Sequence, residues 1–196
     1  MIFVTGGTGL LGNCIVRELC ERDMAVRVLY RHSSSRRPFD GLPVDIVDGD
    51  LNQQQVLDAA IAGCTAVIHC AAMIHIGWQR FDKSRQVNVE GTRSIVDACL
   101  RHKCRLIHIS TVDTLPTARA QAQPIDESGE GGVPNVPCAY VVSKTEAEQL
   151  VREACSQRGL DAVILNPGFM LGPYDWKPSS GRMFLQVVKA SAIAAP

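Results

Sequence analysis

The chain has 196 residues, 46% of them apolar and 20% charged, which is enough to bury one sizeable core in a globular domain. Twenty basic and twenty acidic residues cancel, so no overall field recruits nucleic acid or an anionic membrane surface. No apolar run reaches membrane-spanning length and no basic leader precedes the opening strand, so a cytoplasmic protein is expected.

Strands are predicted near 1–5, 25–30, 44–48, 65–70, 104–110 and 161–166, and helices over 10–22, 53–61, 82–100 and 139–157. This alternation predicts an α/β fold, a Rossmann-type doubly wound parallel sheet with helices on both faces. Pro, Gly and acidic residues crowd 116–137, which reads as a long loop before the next helix. An apolar helix follows at 183–194, and the given sequence ends at Pro196. The expected organisation is an NADP-binding domain over 1–166 and the start of an incomplete substrate-binding lobe over 167–196, with that lobe largely absent. Eight cysteines lie in apolar helix and strand patterns, as buried thiols in a reducing compartment would. Cys99, His102 and Cys104 straddle a helix end and a strand start with no second ligand pair, so no metal site is expected.

The first chemical motif follows the first strand at once. Gly6-Gly7-Thr8-Gly9-Leu10-Leu11-Gly12 opens a helix, the context a dinucleotide-binding loop requires. Without side chains the backbone can approach a pyrophosphate, and the helix N-terminus offers unpaired N–H groups to the anion. Gly6, Thr8, Gly9, Leu10, Leu11 and Gly12 are therefore cofactor-binding candidates. Glycine spacing leaves two registers open, Gly7/Gly9/Gly12 and Gly6/Gly9/Gly12. Asn13 and Cys14 stand where a triphosphatase loop needs Lys and Ser or Thr, which excludes that reading.

At the end of the second strand, where NAD enzymes place an acid, the chain has Tyr30 and Arg31. A guanidinium there pairs with a 2′-phosphate, helped by Ser33, Ser34 and Arg36, so NADP is favoured over NAD. Asp50, with Leu51 beside it, is placed to accept from the adenine amino group. Farther along, Tyr140 and Lys144 stand four residues apart on one helix face. A phenol with an ordinary pKa of about 10 needs help to act near neutrality, and a fixed ammonium can supply it.

Taken in order, the Gly6 to Gly12 loop, Gly49-Asp50-Leu51, His69-Cys70-Ala71-Ala72, Asn88-Val89-Glu90-Gly91-Thr92, Ser110-Thr111, Tyr140 to Lys144 and Asn166-Pro167-Gly168 resemble an extended short-chain dehydrogenase/reductase. The resemblance implies that Thr111, with Ser110 as substitute, holds the substrate oxygen. It further implies that Tyr140 shuttles the proton, and that Lys144 lowers its pKa and binds the nicotinamide ribose. Ala71 and Ala72 would pass under the cofactor, Asn88 would shape the central helix, and Pro167 and Met170 would meet the carboxamide. Asn166 stands where many relatives carry arginine, which makes the chain look closer to the dihydroflavonol-reductase and hydroxysteroid-dehydrogenase branch than to sugar epimerases.

NADPH-dependent reduction of a ketone or aldehyde, or oxidation of the alcohol, is the activity implied. Epimerase or dehydratase chemistry is the runner-up, followed by NADP binding without turnover. A small carbonyl or alcohol substrate, no nucleic acid or membrane partner, and a homodimer through the helices at 82–100 and 139–157 complete the expectation. His75, Trp78 and His108 read as packing residues, and Tyr174, Asp175 and Trp176 as candidate substrate contacts.

Overall fold

The computed structural model describes residues 1–117, 126–127, 137–177 and 180–194. Most of the loop expected over 116–137 lies outside the described residues. Six parallel strands, β1 (Ile2–Thr5), β2 (Val26–Tyr30), β3 (Val44–Asp48), β4 (Ala66–His69), β5 (Arg105–Ile109) and β6 (Ala162–Leu165), form one sheet in the order β3-β2-β1-β4-β5-β6. Between them run α1 (Leu10–Glu21), α2 (Gln54–Ile61), α3 (Phe81–Arg85), α4 (Gly91–His102) and α5 (Ala139–Arg158), and α6 (Arg182–Ala194) follows β6. The strand order reverses between β1 and β4, and such switch points open a crevice at the carboxyl ends of the strands.

The centre of the sheet is covered on both faces, so β1 is buried along its whole length, whereas the edge strands β3 and β6 alternate with exposed positions such as Asp45, Asp48, Val163 and Leu165. Phe3 and Val4 are adjacent in β1 and both fully buried: Phe3 packs with Leu57, Ile61, Ile95 and Leu106, whereas Val4 packs with Val16, Val28 and Phe39. Gly159 ends α5 in the left-handed conformation at φ 70°, the usual way a helix stops without a side-chain penalty. No described helix is long and apolar enough to cross a membrane.

The helix expected over 82–100 is interrupted by a wide π turn at Gln86–Glu90, joining α3 to α4. One inserted residue in a helical ladder re-aims its side chains. Here the turn centres on buried Asn88, whose Oδ1 accepts from the Met73 N–H at 2.7 Å. Its Nδ2 donates to the Met73 carbonyl at 3.0 Å and to Ser143 Oγ at 2.9 Å. Asn88 thus couples the β4 exit, the central helix and α5.

Candidate active site

A cleft of about 490 Å³ opens at the strand ends around the β1/β4 switch point. Of the residues singled out in the sequence, Gly6, Thr8, Gly9, Leu10, Leu11, Gly12, Arg31, Asp50, Leu51, Ala71, Ala72, Tyr140, Lys144 and Met170 line it. Asn88, Thr111 and Pro167 stand behind this lining. Asn88 holds Met73, and the Pro167 carbonyl accepts from the Val112 N–H at 3.0 Å. Cys70, Met73, Lys83, Val87 and Lys177 also line the cleft. Their common signal in the sequence is only position beyond a strand or on a facing helix.

The glycine loop resolves its own register. Gly6 has φ +73°, and a Cβ there would lie 2.6 Å from the Ala71 nitrogen; a Cβ on Gly12 would lie 2.3 Å from the Gly6 carbonyl oxygen. A Cβ on Gly7 would instead meet the Phe39 ring at 3.1 Å. Backbone cannot yield as a ring edge can, so Gly6 and Gly12 make the tight turn, with Gly9 between them. Gly9 is the N-cap of α1 and no side chain caps that turn, leaving its N–H groups to the cleft. An anionic dinucleotide fits this cradle.

At the outer end, the turn carrying Arg31 is folded back on β2: the Tyr30 hydroxyl donates to the Ser34 carbonyl at 2.6 Å, and Arg36 lies over the Tyr30 ring. Asp50 accepts from the Asn52 N–H at 3.1 Å and its Nδ2 at 2.8 Å. Of the candidate substrate contacts after β6, Asp175 lines the cleft, whereas Tyr174 and Trp176 are not among its lining residues. They stack on each other and pack against α1 and the 37–39 turn, with Arg17 over Tyr174 at 4.0 Å and Arg37 over Trp176 at 5.4 Å. Cation–π attraction to the arginines brought there by α1 and its neighbouring turn explains the placement. Asp175 and Lys177, which alternate with them, face the cleft.

At the inner end β5 delivers Ser110 and Thr111, and the first turns of α5 deliver Tyr140 and Lys144. Thr111 is 6% and Lys144 3% exposed. Burial pushes the Tyr140 phenol up, while a hydrogen bond with Thr111 pulls it down; Asp113 and Cys138 add upward contributions. The Lys144 ammonium donates to the Ile109 carbonyl at 2.7 Å. Burial lowers its pKa to about 8, against upward contributions from Glu148 and Cys70. Desolvation is the largest influence on the Tyr140 phenol, and Lys144 is not among the groups that shift it.

Trp78 is exposed and packs on Phe81 at 5.6 Å between ring centroids, and His75 is partly buried in the same loop. His108 is fully buried in β5, its ring 5.6 Å from that of His69.

The profile of the NAD dependent epimerase/dehydratase family matches residues 2–194. The 2-alkyl-3-oxoalkanoate reductase of Stenotrophomonas maltophilia is 35% identical over 178 residues, 89% of this chain and 52% of that protein. Among solved structures, vestitone reductase from alfalfa superposes with a TM-score of 0.76 at 29% identity, covering 94% of this chain and 62% of that one. A short-chain dehydrogenase/reductase superfamily protein from Agrobacterium tumefaciens, solved with bound NAD, superposes with a TM-score of 0.71 at 31% identity, covering 85% and 48%. The chain spans about half the length of the curated relatives it matches.

Proposed function

The chain belongs to the NAD dependent epimerase/dehydratase family, the extended short-chain dehydrogenases/reductases, and from that premise we propose that it reduces a ketone or aldehyde with NADPH, or oxidises the corresponding alcohol. The observation that carries the reading is the two-ended cleft. A glycine cradle under an uncapped helix lies at one end, and a phenol and a buried ammonium line the other, the phenol hydrogen-bonded with Thr111.

A nicotinamide held in this cleft would supply the hydride. The protein's own groups manage the charge that develops on the substrate oxygen. Thr111 donates a hydrogen bond to that oxygen and Tyr140 gives it a proton, a contribution of about a hundredfold to ten-thousandfold for a well-placed acid. Burial keeps the Tyr140 phenol protonated at neutral pH, which suits the reductive direction. Lys144, still largely charged near neutrality, favours the phenolate left behind and holds the nicotinamide ribose.

NADP is the cofactor this reading favours, because Arg31 and Ser34 stand at the outer end of the cleft where an NAD enzyme would present a carboxylate. Asn166 donates to the Thr111 carbonyl and to Glu148, at 3.2 and 2.9 Å, which argues against a role in sugar-nucleotide binding and for a reductase rather than an epimerase. The division into a nucleotide domain over 1–166 and a substrate lobe beginning at 167, a homodimer through the outer faces of α4 and α5, and the cytoplasm as compartment belong to the same proposal. A monomeric mass in solution rejects the dimer. Fluorescence titration with NADPH and NADH, then a carbonyl panel read by NADPH absorbance, tests the whole. No dinucleotide uptake overturns the reading, and uptake with no turnover leaves a regulatory binder.

A further inference from the structure

Glu148 lies one turn beyond Lys144 and two beyond Tyr140 on α5, so the three share one helix face. It is a buried carboxylate, 6% exposed. Its Oε2 accepts from Ser110 Oγ at 2.5 Å, Thr114 Oγ1 at 2.8 Å and Asn166 Nδ2 at 2.9 Å. Its Oε1 accepts from Arg152 Nε at 3.0 Å and Nη2 at 2.7 Å. These donors come from the β5 exit, the following turn, the β6 exit and α5 itself.

Thr111 sits inside this web. Ser110 and Thr114, bound to one carboxylate oxygen, bracket it in sequence. Its own carbonyl lies 2.8 Å from Thr114 Oγ1, which shares its single proton between this carbonyl and Glu148, and it accepts from Asn166 Nδ2 at 3.2 Å. Glu148 therefore fastens the segment carrying the Thr111 hydroxyl to the helix that carries Tyr140 and Lys144, in addition to the bond from Lys144 to the Ile109 carbonyl and the one between Tyr140 and Thr111.

Hydrogen bonding alone does not need a charge, because a carboxamide oxygen accepts from hydroxyls as well. The charge has another addressee. Lys144 is buried, and its ammonium bonds a neutral carbonyl. The groups that act on it electrostatically from its own helix and from β4 are Glu148 and Cys70. On β4 and β5, His69 and His108 are held neutral by burial and by Lys144 itself. Burial also pushes the Cys70 thiol up to about 12, so it is uncharged near neutrality. Tyr140 is protonated there too, and Arg152 lies on the far side of Glu148. Among the described residues, Glu148 is thus the charged group that favours the buried ammonium.

We propose that Glu148 is a positioning residue for the proton-transfer set, holding Thr111 in register with Tyr140 and providing the countercharge that keeps Lys144 an ammonium. The inference rests on the reading of Tyr140, Lys144 and Thr111 given above. It also gives Asn166 a purpose, as a second tie between Thr111 and the same carboxylate.

The test compares the full chain with Glu148→Gln and Glu148→Asp. In Glu148→Gln, kcat for NADPH-dependent carbonyl reduction falls about tenfold to a hundredfold, the range expected when reacting groups are slightly misplaced. NADPH Kd is unchanged. The alkaline limb of the kcat profile moves down by about one pH unit, because the ammonium loses its opposite charge. Glu148→Asp restores the pH profile but not the rate, since the shorter side chain keeps the charge and loses the reach.

A readout free of turnover is the titration of lysine ε-carbons by NMR. The chain has five lysines, and Lys144→Arg assigns the signal. Its midpoint falls by about one unit in Glu148→Gln. The Ser110→Ala/Thr114→Ala double variant loosens Thr111 while keeping the charge, so its rate falls and its Lys144 midpoint stays. Thermal unfolding verifies that each variant is folded. A folded Glu148→Gln protein with wild-type kcat and an unmoved Lys144 midpoint overturns the proposal. If the wild-type chain turns over no carbonyl, the reaction reading fails instead, and the lysine titration still decides whether Glu148 is the countercharge.

Discussion

Trp176 donates its indole N–H to Asn13 Oδ1 at 3.1 Å, joining the segment after β6 to α1 across 163 residues of chain. Arg17 Nε donates to the same oxygen, also at 3.1 Å, while its guanidinium covers Tyr174. Asn13 is itself fixed, with Nδ2 donating to the carbonyls of Gly7 and Pro38. The Tyr174-Asp175-Trp176 strap is therefore anchored to the back of the glycine cradle.

Because Asp175 and Lys177 on this strap line the cleft, its anchorage bears on cofactor residence. Losing one exposed cation–π contact and one hydrogen bond costs on the order of 1–2 kcal/mol. Trp176→Ala should accelerate NADPH release about tenfold. Stopped-flow NADPH fluorescence measures this directly, and an unchanged release rate shows that the strap does not retain the dinucleotide.

Tyr140→Phe removes only the phenolic oxygen. The expected result is a loss of turnover of at least about a hundredfold with NADPH affinity preserved. Thr111→Ala, which loses the bond that draws the Tyr140 phenol downward, should also lower kcat. In the oxidative direction the phenol must lose its proton, and burial has raised its pKa. Alcohol oxidation should therefore climb with pH until Lys144 loses its proton at about pH 8, while reduction falls. Steady-state profiles in both directions check the pair of slopes, and retained activity in Tyr140→Phe removes the residue from the mechanism.

Arg31→Asp replaces a guanidinium with a carboxylate at the outer end of the cleft. It should weaken NADPH binding and strengthen NADH binding, inverting the preference, since a charge-assisted contact to phosphate is lost and a ribose acceptor is gained. Parallel titrations with the two cofactors give the ratio. Equal affinities in wild type and variant discard the idea.

The two buried histidines set an acid limit on stability. His69 accepts or donates through Thr5 Oγ1 at 2.7 Å and Thr92 Oγ1 at 3.0 Å, and burial, then Lys144, hold its pKa down to about 3. His108 is shifted the same way, with no hydrogen-bond partner for its ring nitrogens among the described residues. Both are neutral when folded but take up protons near pH 6.5 when unfolded. The His69 contribution is complete above about pH 6.5 and declines as pH falls toward about 3, a loss of about 2 kcal/mol at pH 5. His108 adds a loss in the same direction. Urea unfolding at pH 7 and pH 5 measures the sum, and His108→Leu should reduce the difference.

The sheet, its helices and the cleft were legible because their signals are local. Runs such as Ile2-Phe3-Val4 are apolar on both faces, Gly159 ends α5, and Gly6 to Gly12 follows a strand and opens a helix. Tyr140 and Lys144 were legible as a pair because four residues on a helix make neighbours whatever surrounds them. The π turn at Gln86–Glu90 was not, since nothing in its period distinguishes it from α-helix and Asn88 finds Met73 and Ser143 only after packing.

By itself, then, the sequence determined the strand order's raw material, the cradle for an anion and the spacing of the phenol and ammonium. These follow from backbone geometry and side-chain period within a few residues. Tertiary structure alone decided that Gly6 rather than Gly7 makes the turn and that the aromatics at 174 and 176 grip α1. It also decided that Glu148 answers both Thr111 and Lys144, and that burial outweighs the Thr111 hydrogen bond at Tyr140. Each of these is a contact or a desolvation between residues distant in the chain, and such terms do not exist until the sheet has brought them together.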